Sequence, residues 1–237
     1  MHQFIKIYKN KKDYLAILII TIITILIYFN SLGNPFVFDD LHMIENNNYI
    51  KYLNKVHLVF LRYPTNIPIV GGMYRPLLML SFAFNYYFSR LNPLGYHIIN
   101  IMFHFLNGIL LFLLLKVFLK KQYFLPSLLA TLMFIVHPVN VEAVTYISNR
   151  STLMSGFFIL LSFLLYVKKD YYKIPKRIYC YLGCLISYIC ALLSKEVAIM
   201  LPVILVLFDL MYLKRYKIKR FLYLSRFYLP IFIIIGL

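Results

Sequence analysis

The sequence predicts an all-α protein that threads several times through a lipid bilayer. Hydrophobic residues make up 62% of its 237 positions and charged residues only 14%, which is more apolar surface than one soluble core can hide. The apolar residues come in long runs, and the basic residues gather in alternate gaps between them. A net charge of +17 could suit nucleic acid, but cations clustered between apolar runs fit membrane topology and give no nucleic-acid face. Cys180, Cys184 and Cys190 share one apolar segment, where they read as small buried residues, neither a disulfide framework nor a zinc site.

Crossing ~30 Å of hydrocarbon at ~1.5 Å per residue takes about 20 apolar residues. Six segments qualify: Tyr14 to Asn30, Tyr96 to Leu119, a short one from Tyr123 to Val136, Leu153 to Val167, Ile178 to Leu193 and Val197 to Leu213. The first is too long for a cleaved leader and lacks a small-residue cleavage site, so it reads as a retained anchor. A seventh begins near Phe227 and is cut at Leu237, giving an expectation of about seven spans and of a chain that is the front part of a longer protein or a truncated product. Residues 1–237 read as one membrane domain, and 31–95 as its first extracytoplasmic loop.

Orientation follows from Lys and Arg, which accumulate on the cytoplasmic side. The N-terminal tail and the second, fourth and sixth gaps hold eighteen of the twenty-five basic residues, from Lys6 to Lys12, Lys116 to Lys121, Lys168 to Arg177 and Lys214 to Arg226. The N-terminus is therefore expected in the cytoplasm of a multi-pass protein, in the cell (inner) membrane if bacterial or the endoplasmic reticulum if eukaryotic. Five of the eight acids, Asp39, Asp40, Glu45, Glu142 and Glu196, then fall on the outer face. They come from three loops that would converge if the helices bundle.

The first outer loop is too long for a connector and is expected to carry amphipathic surface helices around Asn54 to Arg62 and Pro76 to Arg90. At its entry Asn34-Pro35-Phe36-Val37-Phe38-Asp39-Asp40 places two adjacent carboxylates after an aromatic run. Like charges so close raise at least one pKa, which prepares a general base, although an acidic helix cap has the same composition. The second loop, from His137-Pro138 to Ser151, sets Glu142 and Tyr146 four apart, with Arg150 one further turn along the same stripe if helical. That arrangement offers an acid, a hydroxyl and a cation to one ligand, or else a loop with caps. Leu193-Ser194-Lys195-Glu196 is a tight turn with adjacent charges, which a snorkelling interfacial pair would also explain.

Taken in order, Asn34 to Asp40, Tyr74-Arg75-Pro76-Leu77, Asn92-Pro93-Leu94-Gly95-Tyr96-His97, His137-Pro138 with Glu142-Ala143-Val144 and Tyr146 to Arg150, and Leu193 to Glu196 resemble the transmembrane and tetratricopeptide repeat-containing family. Its animal members are protein O-mannosyltransferases of the GT-C glycosyltransferase superfamily, and the resemblance is to their N-terminal membrane portion. It implies a GT-C-like fold and a membrane glycosyltransferase that moves a sugar, mannose in the relatives, from a polyprenyl-phosphate donor to a protein or other hydroxyl acceptor on the outer face. An outer-loop acid serves such enzymes as base, a role that maps onto Asp39 or Asp40. The departing lipid phosphate needs cations, for which Arg150, Lys195 and Arg75 are the candidates. His137, Glu142, Tyr146 and Glu196 would position sugar or acceptor. No cofactor or metal centre is assigned, though the outer acids are of the oxygen-donor type that a divalent cation takes. The tetratricopeptide repeats and the second half of the membrane domain are absent from these 237 residues, which puts activity of this stretch alone in question.

A non-catalytic membrane scaffold or a truncated remnant of such an enzyme is the alternative. A transporter fits less well, because it would set its ionisable residues at mid-membrane depth.

Overall fold

The computed structural model describes residues 11–52, 57–60, 74–119, 124–169 and 172–212. Nine α-helices stand among them, α1 (Lys11–Tyr28), α2 (Asn48–Lys51), α3 (Pro76–Ser89), α4 (Pro93–Leu119), α5 (Phe124–Val136), α6 (Asn140–Thr145), α7 (Arg150–Lys169), α8 (Lys176–Ser194) and α9 (Leu201–Tyr212). All six expected apolar segments are helical over their described residues. Four stretches, Lys11–Gly33, Pro93–Leu119, Ile147–Lys169 and Lys176–Ser194, are long and apolar enough to cross a membrane. The chain is a membrane protein with at least that many candidate spans.

The two shorter segments differ from expectation for a reason visible in the residues. At 13 residues, α5 ends at Val136 because His137 precedes Pro138, whose ring disfavours helix in the residue before it. Near Pro202 the chain changes from a 3₁₀ turn, Glu196–Met200, to the 12-residue α9. The lost N–H of proline is harmless only in a helix's first turn. The seventh span from Phe227, and the basic clusters at Lys6 to Lys9 and Lys214 to Arg226, lie outside the described residues.

Two long helices, α4 and α7, pack on each other and divide the bundle. On one side α1 and α5 close over α4 around Ala16, Ile20, Phe112, Leu128 and Ile135. On the other, α8 and α9 close over α7 around Tyr166, Cys184, Tyr188, Leu201 and Leu205. Polar bonds tie the same interfaces, where lipid offers no competing water. Ser162 Oγ donates to the Cys184 carbonyl at 2.9 Å, and Tyr166 Oη donates to Asp209 at 2.5 Å. At the far end of α1, Asp13 pairs with Lys116 of α4 at 2.5 Å. The three cysteines are free, Cys184 buried and the others half-buried.

The expected amphipathic surface helix from Pro76 exists as α3 but not with that character. One face buries Leu78, Met79, Phe82, Ala83 and Asn85 against a core completed by Ile44, Tyr96, Ile147 and Met154. The other exposes Phe84, Tyr87 and Phe88, so it is apolar on both sides, as suits a helix set between protein and lipid. Of the second expected piece, only a 3₁₀ turn at 57–60 lies within the described residues.

The corner from α3 to α4 explains the Asn92-Pro93-Leu94-Gly95 run. Asn92 caps α4 by accepting the Leu94 N–H on its side-chain oxygen at 3.1 Å, and Pro93 takes the first helical position, where no N–H is needed. Gly95 is obligatory by space, because a Cβ there would lie 2.6 Å from Ser89 Cβ. Gly95→Ala should therefore cost about 1–3 kcal/mol, read as a lowered thermal midpoint of the purified protein; an unchanged midpoint would mean the corner opens freely.

Candidate functional site

The loop from Asn34 to Asp40 is tied down at Asn34, Phe36 and Asp40. The Asn34 carbonyl meets His97 Nε2 of α4 at 3.1 Å, and the Phe36 ring stands edge-on to Tyr96 at 5.3 Å. Asp40 folds back on its own turn, one carboxylate oxygen accepting the Val37 N–H at 3.1 Å. Its other oxygen accepts both the N–H and the hydroxyl of Ser148, at 2.8 and 2.5 Å. With 1% exposure, Asp40 is a buried clasp between the first and second loops.

Adjacent Asp39 has the opposite fate. Phe38 before it adopts φ 47°, a left-handed conformation that costs a bulky residue ~1–2 kcal/mol and turns its ring outward to 82% exposure. The kink sends Asp40 inward and leaves Asp39 exposed. Its backbone N–H donates to the Tyr146 hydroxyl at 3.1 Å. The Tyr146 phenol is pushed above its ordinary pKa, mainly by burial, with the negative charges of Asp39 and Asp40 acting in the same direction. Tyr146 is thus protonated at neutral pH.

Two cations stand on the first turn of α7, a few residues beyond Ser148. Arg75, just ahead of α3, donates through Nη1 to Ser151 Oγ at 3.3 Å. Its Nε and Nη2 grip the Glu196 carboxylate as a fork at 3.2 and 2.7 Å. Lys195 Nζ donates to Thr152 Oγ1 at 2.7 Å. Burial and then the Arg75 charge lower the Lys195 pKa, while Glu196 and Glu142 work against that. Glu196 is itself held below the usual carboxylate range, first by the Arg75 hydrogen bond. Ser148 and Ser151–Thr152 are about one helical turn apart, ~5.4 Å. The three loops therefore meet at the start of α7.

Not every candidate joins this cluster. The stripe of Glu142, Tyr146 and Arg150 does not form, because the helix ends at Thr145 and Tyr146 is extended (φ −88°, ψ 113°). Asn100 of α4 holds that break open, its amide reaching the Val144, Tyr146 and Ile147 carbonyls at 3.3 to 3.5 Å. Glu142 stays exposed on α6, within electrostatic reach of Lys195.

Arg150 turns inward to 0% exposure. It donates to Asn100 Oδ1 at 2.7 Å, Ser81 Oγ at 3.3 Å, Asn85 Oδ1 at 2.8 Å and the Tyr96 carbonyl at 3.0 Å. Its guanidinium also lies 4.7 Å from the Phe82 ring centroid. A donor set committed this fully inside the bundle does not meet a phosphate at the surface, and Arg150 joins α3, α4 and α7 instead. His137 is exposed at a turn, its Nδ1 accepting the Val139 N–H at 3.2 Å.

Residues that the motifs left unnoticed turn out to organise the site. Asn100, His104 and Asn107 are buried along α4. His104 meets the Ile135 carbonyl at 3.2 Å and Asn107 donates to the Leu153 carbonyl at 3.0 Å. The available signal was polar residues spaced by four and three inside an apolar span, a stripe facing protein and not lipid. Among the described residues no group of three or more His, Cys, Asp or Glu is arranged to hold a metal ion.

No family model matches the chain, and no solved structure matches it. The chain is 36% identical over 145 residues to the mouse protein O-mannosyl-transferase TMTC3, covering 60% of this chain and 15% of that one. It is 29% identical over 229 residues to the Drosophila melanogaster Tmtc3, covering 84% and 24%. With human TMTC2 it shares 29% identity over 218 residues, covering 88% and 25%. The chain thus spans at most about a quarter of the length of these relatives, and the resemblance carried by its motifs is borne out: its sequence is similar to proteins named as protein O-mannosyl-transferases of the TMTC family.

Proposed function

We propose that this chain forms the reaction face of a GT-C-like membrane glycosyltransferase that moves a sugar, mannose by analogy with its relatives' names, from a polyprenyl-phosphate donor to a protein hydroxyl. The observation that carries the reading is the convergence of three loops at one helix start, with Asp40, next to the exposed Asp39, on Ser148, Arg75 on Ser151 and Lys195 on Thr152. In the transfer, the acceptor hydroxyl gives its proton to Asp39 as its oxygen bonds the anomeric carbon. The bond from that carbon to the phosphate oxygen breaks, and the lipid phosphate leaves with the electron pair. Arg75 and Lys195 meet the anion. Tyr146 and the exposed Glu142 and Glu196 line the approach for sugar and acceptor. Asp40 and Arg150 act at one remove, holding the loops in register. The gathering of basic residues in alternate gaps supports a reading with this face outside the cytoplasm and the N-terminus inside.

Mass spectrometry of secreted and lumenal or periplasmic glycoproteins, with and without the intact gene, tests the reading. Loss of hexose from Ser and Thr of a defined protein set is expected on deletion. An unchanged glycoproteome would leave the scaffold interpretation.

A further inference from the structure

Arg75 presents a forked pair of N–H donors, and the group seated in that fork is a carboxylate from its own chain. Resting on the donor-phosphate role proposed above for Arg75, we infer that Glu196 is a built-in competitor for that phosphate: donor binding requires the Glu196 carboxylate to leave the Arg75 fork.

Carboxylate and phosphate take the same bidentate geometry on a guanidinium, so one fork cannot serve both. The two partners of the pair are also unequally held. The Arg75 side chain is 11% exposed and the Glu196 side chain 65%. Arg75 keeps an anchor that does not involve Glu196, its bond to Ser151 Oγ, and Lys195 is likewise anchored on Thr152 Oγ1. Withdrawal of Glu196 therefore leaves both cations in place and their charges closer to uncompensated. The Glu196 carboxylate is already largely hydrated and completes its hydration on leaving, whereas Arg75, the more buried half of the pair, stays in place. The swap is thus inexpensive for a phosphate, which brings more charge than the carboxylate it replaces. A ligand with no anionic group neither displaces Glu196 nor is opposed by it, so Glu196 lowers affinity for a phosphate-bearing donor and leaves that for an uncharged lipid unchanged.

The test uses the full-length protein in detergent, with farnesyl phosphate as probe and farnesol as its uncharged control. Glu196→Gln is expected to bind farnesyl phosphate about three- to tenfold more tightly than the unmodified protein and to lower KM for the lipid-linked donor, with farnesol binding unchanged. Glu196→Asp, too short to fill the fork, should shift affinity the same way by less and covers the case in which Glu196→Gln fails to fold. Arg75→Gln should weaken farnesyl phosphate binding and erase the gain in the double variant. Equal or weaker binding by both Glu196 variants, with Arg75→Gln still impaired, overturns the competitor role and makes the ion pair a brace. Binding by Arg75→Gln equal to that of the unmodified protein removes the phosphate role of Arg75 and the inference with it.

Discussion

Asp39→Asn in the full-length protein is expected to reduce sugar transfer by roughly 10²–10⁴-fold, the usual loss for a missing general base, with membrane insertion and thermal midpoint unchanged. Asp39 is exposed, and the bond that fixes its position comes from its backbone N–H to Tyr146, which the substitution keeps. Asp40→Asn should behave differently although it changes the adjacent residue in the same way. Asp40 accepts three donors with its two oxygens. An amide there turns an NH₂ toward either the Val37 N–H or the Ser148 donors, which costs about 1–3 kcal/mol. Its signature is a lower thermal midpoint, with activity falling as the loop loosens. Transfer assays and thermal unfolding on both single variants separate the two roles. Full activity in Asp39→Asn would remove it as base, and a stable but inactive Asp40→Asn would exchange the assignments.

Arg150→Met should destabilise the protein by about 2–4 kcal/mol, seen as a drop of several degrees in thermal unfolding. The substitution roughly keeps volume but strands the Asn100 and Asn85 side-chain oxygens, at about 1–3 kcal/mol for each buried acceptor left unpaired. Relief from burying a cation offsets part of that sum. Arg150→Lys should rescue little, because an ammonium cannot span acceptors on α3 and α4 or stack on Phe82 as a planar guanidinium does. Normal stability with lost donor affinity would instead return Arg150 to the phosphate site that the motif suggested.

These two cases show where sequence reading stops. Asp39, Asp40 and Arg150 all lie in motifs that point to chemistry, and for each the decisive matter is direction. The acids 39 and 40 are neighbours in sequence, yet the φ of Phe38 sends one to water and the other inward. Arg150 reads as the next turn of a helix bearing Glu142 and Tyr146, but the helix stops at Thr145. The cause is the Asn100 amide, forty-odd residues earlier on α4, and no local periodicity reports it. Glu196 and Arg75 lie 121 positions apart, so their pairing belongs to the bundle alone.

The amino-acid sequence by itself determined the membrane class, the six apolar helices, the gathering of acids in three alternate loops, and the motifs that mark the family. These properties are local: the length of an apolar run and the identity of a charged residue need no partner to be read. Only the tertiary structure decided which acid is a clasp and which is available, which cation is interior, and which anion holds the Arg75 fork. Those outcomes depend on burial and on hydrogen-bond partners brought together by helix packing, and a buried polar side chain takes its role from the groups that satisfy it.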